Sequence, residues 1–468
     1  MFECNLCDYN CKTKADIFRH LETTKHLSHF NPEQQNLLIQ VIKYLQSDSV
    51  DGKDGIRINS AGGTGKTFTI SSVMKYISNC KALGPTHQSV SMLKKQDFNA
   101  ETFHKFFGWG QYIDDNNNEI NVWNPPTISK NTIFVFDEIS MMTRAQFSLF
   151  KHYVYGKFKY IMMGDKCQIT PYENKFNDKL PEEVHLFKNT CDMSLAFQFK
   201  CVEVNLVRNM RAKNIELNEK LYKMRNDVLN NKSIFLVNNW KMDYSLIKKN
   251  INRDYIVLAH EKIFVKKLNS DIRNYLFPDS NLSQLEIGDK ISLNTFSIAT
   301  NKFKNNSLFK TTFLLSGSRF GITYFEDTFI TVPENILELD GEQIYFKAYE
   351  IELNNQYLIK TIDRDFKESF EKWYKNNCNR IKRIKSTKLL PLTDKEVSDM
   401  KKKYYKTLRS YKDNNIEWNF AFASTINAAQ GASYDLVFVY NQGTCHFSNK
   451  HKYTACSRAI NELKIFRN

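Results

Sequence analysis

Ile56-Arg57-Ile58-Asn59-Ser60-Ala61-Gly62-Gly63-Thr64-Gly65-Lys66-Thr67 runs a short strand-like segment straight into a glycine-rich turn and a Gly-Lys-Thr. Residues 68–76 then carry a helical pattern. Strand, glycine turn and helix in this order form a cradle for a nucleotide triphosphate. Gly62, Gly63, Thr64 and Gly65 let backbone N–H groups close round a phosphate, and the helix N-terminus adds its positive end. Lys66 can reach the β- and γ-phosphates, and the Thr67 hydroxyl can ligate Mg²⁺. Ser60 stands where the strict pattern has its first glycine. Serine is small enough for the same turn.

The surroundings extend this reading. Upstream, Asn31 is a good N-cap and Pro32 suits a first helical turn, so a helix is predicted to about residue 45. Downstream, residues 132–136 form a continuous apolar strand that delivers Asp137 and Glu138. Asp137 is placed to hold Mg²⁺ and Glu138 to polarise an attacking water. Residues 160–163 read as another strand, ending in Gly164-Asp165-Lys166-Cys167-Gln168.

The first thirty residues carry different chemistry. Cys4, Cys7, His20 and His26 have the spacing C-x2-C-x12-H-x5-H, which can close a tetrahedron around Zn²⁺. A helix is predicted over residues 15–26, with Phe2, Cys11 and Ile17 as the small apolar core. So short a finger cannot fold on its own apolar area, and zinc binding, about 10–16 kcal/mol, supplies the deficit. Thr13, Asp16 and Arg19 occupy the positions from which such fingers contact bases. One finger reads only about three base pairs. It is expected to tether nucleic acid or a protein partner, including replication proteins.

Composition bounds the rest. The chain has 468 residues, enough for several domains, with 42% hydrophobic and 25% charged residues, ordinary for a globular protein. A net charge of +15 favours a polyanionic partner. No run of eighteen apolar residues exists, so no membrane partner is expected. The N-terminus lacks the basic start and apolar core of a secretory signal, so an intracellular location is expected.

The motifs, taken in order, resemble those of superfamily 1 helicases of the RecD-like, PIF-type branch. Asn31-Pro32-Glu33-Gln34 resembles the adenine-sensing Q motif, with Gln34 its key residue. Gly84-Pro85-Thr86-His87 and Thr102-Phe103-His104 resemble the two single-strand-contacting segments, implying roles for Pro85, Thr86, His87, Thr102 and His104. Asn209-Met210-Arg211 resembles the fourth motif, with Arg211 facing the γ-phosphate. Thr425-Ile426-Asn427-Ala428-Ala429-Gln430-Gly431 resembles the fifth, implying nucleic-acid contact by Thr425 and nucleotide contact by Gln430 and Gly431. Tyr453-Thr454-Ala455-Cys456-Ser457-Arg458-Ala459 resembles the sixth, with Arg458 a second arginine finger. Asn427 and Cys456 replace a usual histidine and leucine. Gln168 is expected to sense the γ-phosphate.

The resemblance spans residues 30–468 and implies an α/β chain of two RecA-like parallel-sheet motor domains. It also implies a small SH3-like β-barrel with a basic helical insert in the second motor domain, after an N-terminal ββα zinc finger. The expected domains are the finger at 1–29, a first motor domain at 30–202, a second at 203–290 and 415–468, and the insert at 291–414. The activity implied is ATP- and Mg²⁺-dependent 5′→3′ unwinding in replication, recombination or repair, on single strands and single-strand/duplex junctions, with DNA favoured over RNA. An RNA helicase or ribonucleoprotein remodeller, or a single-strand translocase without unwinding, is the alternative.

In the insert, residues 327–332, 336–339 and 343–353 read as strands around an Asp340-Gly341 turn. Residues 360–412 then hold seventeen basic against seven acidic residues, interleaved with Phe366, Phe370, Trp373, Tyr374, Tyr404 and Tyr405. Cations with aromatics suit a single strand. The same pattern also suits two amphipathic helices whose aromatics face the protein. A late group, Cys445, His446, His451 and Cys456, matches no familiar zinc spacing.

Overall fold

The computed structural model describes residues 2–4, 6–47, 55–113, 119–171, 178–187, 193–211, 214–236, 240–241, 243–280, 285–293, 297–301, 310–314, 319–354, 357–385, 393–413, 418–441 and 447–467. The chain divides into two compact units. One comprises residues 1–242, 251–260 and 425–468, the other residues 243–250 and 261–424.

The first unit is built on two parallel sheets. In the larger, strands follow the order Val202–Leu206, Ile56–Ser60, Tyr160–Gly164, Ile133–Phe136, Cys80–Gly84 and Ala100–Thr102, all pairs parallel. Such strands are covered on both faces, which explains why 56–60 and 160–164 are buried at every position. The second sheet places Trp240–Lys241, Ala459–Arg467, Tyr434–Asn441 and Tyr255–Ala259 side by side, again parallel. In parallel sheets, ligand-binding loops emerge at the C-terminal ends of the strands. The phosphate loop after Ser60, the acids after Phe136 and the turn after Gly164 all lie at that edge.

Local chemistry sets the helix starts. Asn31 caps the helix Pro32–Gln46 through a capping box, with Asn31 Oδ1 accepting from Gln34 N–H and Gln34 Oε1 accepting from Asn31 N–H. The predicted finger helix is broken. Lys14–Leu21 and Thr24–Leu27 are separate helices, because the Thr23 hydroxyl donates to the His20 carbonyl and caps the second. Ile17 is fully buried and Cys11 only partly, while the Phe2 side chain lies outside those described.

The second unit carries a seven-stranded antiparallel sheet. Its order is Lys310–Leu314, Ser297–Asn301, Tyr357–Ile362, Gln343–Leu353, Arg319–Pro333, Lys290–Leu293 and Trp418–Phe420. The expected strand at 336–339 is instead part of the turn joining the two longest strands. Ile336 is pulled into the core, its N–H donating to Asn377 Oδ1 at 2.8 Å. The helices Arg364–Lys382 and Asp394–Asp413 pack over this sheet. Phe370 and Trp373 are buried there, and Trp373 Nε1 donates to the Pro333 carbonyl at 2.8 Å. Tyr374, Tyr404 and Tyr405 are partly buried against the same cluster. These five aromatics therefore face the protein, whereas Phe366 is exposed, and Lys367, Lys372, Lys375, Lys382, Lys402, Lys403 and Lys406 face solvent.

Candidate nucleotide site

The phosphate loop is shaped for a guest it must supply with donors. Gly65, at φ +77°, precedes the helix Lys66–Met74, and no side chain caps that N-terminus. The first-turn N–H groups are thus available to an anion. Gly63 adopts φ +80°, and a Cβ there would stand 2.9 Å from the Arg211 Cβ and collide with Asn209 Oδ1. Only glycine serves there, because of the left-handed backbone and because the side chains of Asn209 and Arg211 press on the loop.

Lys66 Nζ lies 3.2 Å from Glu138 Oε1 and 3.8 Å from Asp137 Oδ1. Both acids are buried, yet Asp137 Oδ1 and Glu138 Oε2 accept no hydrogen bond. Burial raises Asp137 to about 6, with Lys66 opposing. Burial would raise Glu138 too, but Lys66, then Arg458 and Arg211, hold it below its ordinary value. Glu138 itself sits in the left-handed region at φ 49°, an uncommon conformation for a non-glycine residue and one found at functional sites. Two buried carboxylate oxygens that accept no hydrogen bond, beside an uncapped helix start, fit a divalent cation with a phosphate ester. Asp137, and Thr67 at the start of the same helix as Lys66, would be the residues to hold it.

The expected arginines converge on the same place. Arg211 N–H donates to Asn209 Oδ1 at 2.8 Å, and its guanidinium bonds Ser433 Oγ. Arg458 is buried and donates to the carbonyls of Thr454 (3.1 Å) and Ala432 (3.3 Å) and to Ser457 Oγ (3.1 Å). A Cβ on Gly62 would lie 3.5 Å from the Ser457 carbonyl oxygen. Lys66 and Arg458, 392 positions apart in the numbering, thus belong to one electrostatic cluster centred on Glu138.

Other expected residues have different first contacts. Gln34 Nε2 donates to the Thr64 carbonyl at 3.0 Å, bracing the phosphate loop. Gln430 Nε2 donates to Gln168 Oε1 at 3.3 Å, and Ile169 N–H donates to Thr454 Oγ1 at 3.2 Å. Gly431 is left-handed at φ +84°. Gln168, Gln430 and Thr454 therefore join the turn after the first sheet to the second sheet's loops. Thr86, Thr102 and Thr425 spend their hydroxyls accepting from Ser89, Lys105 and Ala428 N–H groups. His104 is stacked on Trp123 at 5.4 Å with Trp109 edge-on. Pro85 and Phe103 line one small cavity with Asp137 and Glu138. Burial, then Lys105 and Lys94, lowers His87.

Sequence reasoning missed a buried polar network behind the site. Asp165 Oδ1 accepts from Arg225 Nε (3.4 Å) and Cys167 N–H (3.0 Å), and Oδ2 accepts from Tyr453 Oη (2.7 Å). Arg225 also donates to Asn59 Oδ1 at 3.2 Å. Asp165 and Tyr453 stood in quoted motifs without a role, whereas Arg225 lies mid-helix with no local signal at all.

At the N-terminus, Cys4, Cys7, His20 and His26 are all buried, and one candidate ligand atom from each lies within 4.8 Å of the others. His26 Nδ1 is 3.4 Å from Cys4 Sγ and 3.6 Å from Cys7 Sγ. A tetrahedral zinc with ordinary bond lengths requires a nitrogen–sulfur edge of roughly 3.6 Å. Burial lowers His26 to about 4, keeping it neutral as a ligand must be. The presumed reading face is self-paired: Asp16 bonds the Thr13 hydroxyl and bridges Arg19 at 2.7 Å. Of the late group, Cys445 and His446 lie outside the described residues. His451 packs against His260 with centroids 4.2 Å apart, and Cys456 is buried core.

A family profile described as an AAA domain matches residues 52–174. No curated protein sequence matches the chain. Among solved structures, the chain is similar to the Pif1 helicase from Bacteroides in complex with ADP-AlF3 and single-stranded DNA, at 15% identity over 94% of this chain and 92% of that one, TM-score 0.45. It is also similar to the Pif1 helicase from Candida albicans, at 15% identity over 93% and 94%, TM-score 0.47. A third likeness is to an arterivirus helicase, nonstructural protein 10, at 9% identity over 91% of this chain and 62% of that one, TM-score 0.33.

Proposed function

We propose that this chain is an ATP-driven helicase or translocase of the superfamily 1, PIF-type branch, acting 5′→3′ on DNA single strands and junctions. The observation that carries this reading is the Lys66–Glu138–Asp137 cluster beneath an uncapped helix start, with Arg211 and Arg458 brought to it from beyond the first sheet. A divalent cation, when bound, neutralises phosphate charge. Lys66 leaves its carboxylate neighbours to pair with phosphate oxygens, and Glu138 accepts a proton from the attacking water. Arg211 and Arg458 neutralise charge developing on the transferred group, an effect worth about 10³–10⁵ in rate where arginine fingers have been removed. The Gln168–Gln430 and Ile169–Thr454 bonds give γ-phosphate loss a route to the second sheet.

The nucleic-acid partner is supported by the +15 charge and the solvent-facing lysines among the described residues of 360–412. Zn²⁺ at Cys4, Cys7, His20 and His26 is supported by burial and the 3.4 and 3.6 Å edges. The finger at 1–29, motor domains at 30–202 and at 203–290 with 415–468, and an insert at 291–414 complete the proposed organisation. Lys66→Ala is expected to abolish strand-stimulated ATP hydrolysis, and normal stimulated turnover would remove the assignment. Duplexes with a 5′ or a 3′ tail test polarity. Stimulation by RNA instead of DNA would favour an RNA helicase.

A further inference from the structure

A ladder of rings connects the finger to the phosphate loop. Tyr9 stacks on His20 at 4.1 Å, and His20 meets His26 edge-on at 5.5 Å. His26 meets Phe30 at 5.4 Å, and Phe30 meets Phe68 at 5.8 Å. Phe68 stands in the first turn of the helix that begins at Lys66. Phe30 is buried to 4% exposure, and its carbonyl accepts from Gln35 Nε2 at 2.8 Å. The next residue, Asn31, forms the capping box with Gln34, whose amide holds the Thr64 carbonyl.

The far end of the same helix is gripped as well. Tyr76 Oη donates to the Glu3 carbonyl at 2.8 Å. Cys4, Cys7, Ile17, Phe18 and Leu21 share one continuous core with Val73, Met74, Tyr76 and Ile77. A finger hung on a flexible tether would bury its own few apolar groups and leave these unshared. Here Cys4 and Cys7 are packed into the core of the sheet that carries the phosphate loop, while Asp16 and Arg19 pair with each other.

We propose that Phe30 is a positioning residue through which the zinc-loaded finger holds the phosphate loop in its nucleotide-binding shape, so that zinc occupancy and nucleotide affinity are linked. This rests on the zinc and nucleotide readings above. Linkage makes the effect reciprocal: the factor by which zinc tightens nucleotide binding is the factor by which nucleotide tightens zinc binding.

The test uses the full chain, Mg²⁺ with methylanthraniloyl-ADP as the nucleotide probe, and a chelating dye to count zinc. Phe30→Ala should keep one zinc per chain and the wild-type circular dichroism. It should bind the probe at least about fivefold more weakly, the lower end of ordinary coupling. The KM for ATP should rise while kcat stays near wild type, and Phe30→Met, which refills the gap against both rings, should recover most of the affinity. In the wild-type chain, saturating Mg-ADP should raise the chelator concentration needed to strip zinc by a matching factor. Equal probe affinity in a zinc-retaining Phe30→Ala chain, or zinc stripping indifferent to Mg-ADP, would overturn the linkage. Wild-type protein without stoichiometric zinc would instead remove the zinc reading, and wild-type protein that ignores the probe would remove the nucleotide reading. If Phe30→Ala fails to fold, the wild-type stripping measurement still decides.

Discussion

Replacing Arg225 by methionine should be among the most damaging changes available outside the phosphate loop. Arg225 is 3% exposed and Asp165 1%, so the pair is shielded from water. Burial works against the charged guanidinium, but Asp165 more than offsets this and holds Arg225 above its ordinary value. Removing one partner of a buried ion pair costs about 3–5 kcal/mol, because an uncompensated charge stays behind. Asp165 would keep the Tyr453 hydroxyl at 2.7 Å and the Cys167 N–H at 3.0 Å, which puts the expected loss near the lower end, about 3 kcal/mol. With a urea dependence of about 3 kcal/mol per molar, the unfolding midpoint should fall by roughly 1 M. The assay is urea unfolding followed by circular dichroism for Arg225→Met, Asp165→Asn and the double variant. Asparagine removes the stranded charge, so the double variant should be markedly more stable than the sum of the single losses predicts. A loss below about 1 kcal/mol for Arg225→Met, or strict additivity in the cycle, would refute the view that this pair holds the network together.

Other consequences are more local. Trp373→Phe keeps most of the ring packing but strands the Pro333 carbonyl that accepts the indole N–H, which should cost about 1–3 kcal/mol. An unchanged unfolding midpoint would show that water replaces the bond. The Arg253 hydrogen bond, then that of Asn461, holds folded Asp435 below the ordinary carboxylate value. Its contribution is therefore complete above about pH 4 and is lost as pH falls through the lower folded value. The effect is small because the site is largely solvated. Asp435→Asn should unfold in acid with a shallower dependence on pH below that point, and identical slopes would exclude the ion pair. Burial pushes the thiols of Cys80, Cys167 and Cys456 up to about 12. Maleimide at pH 8 should leave all three unlabelled in the native protein and label them after denaturation. Rapid native labelling at any of them would contradict their burial.

Features decided by neighbours in the chain were legible in the sequence. The glycines at 62, 63 and 65, the capping pair Asn31 and Gln34, and the acids at the end of an apolar strand work through a few adjacent residues. Their backbone requirements leave a trace in residue type. Even there residue type leaves choices open: the helix expected at 15–26 breaks because one threonine hydroxyl finds the His20 carbonyl. The run at 336–339 looked like a strand but turns inward to meet Asn377.

What only the tertiary structure decided is which distant groups meet. Arg225 looks like any helical arginine until Asp165 and Tyr453, sixty and more positions away, close round it. Tyrosines and tryptophan among lysines suit a stacking groove or a packed helix pair equally well. The sheet beneath them chose the second, because burying Phe370 and Trp373 removes apolar area from water. The spacing of Cys4, Cys7, His20 and His26 marked a candidate metal set, but only the packed fold joined the two cysteines to the helix of Lys66, since a shared core depends on surfaces brought together rather than on order along the chain.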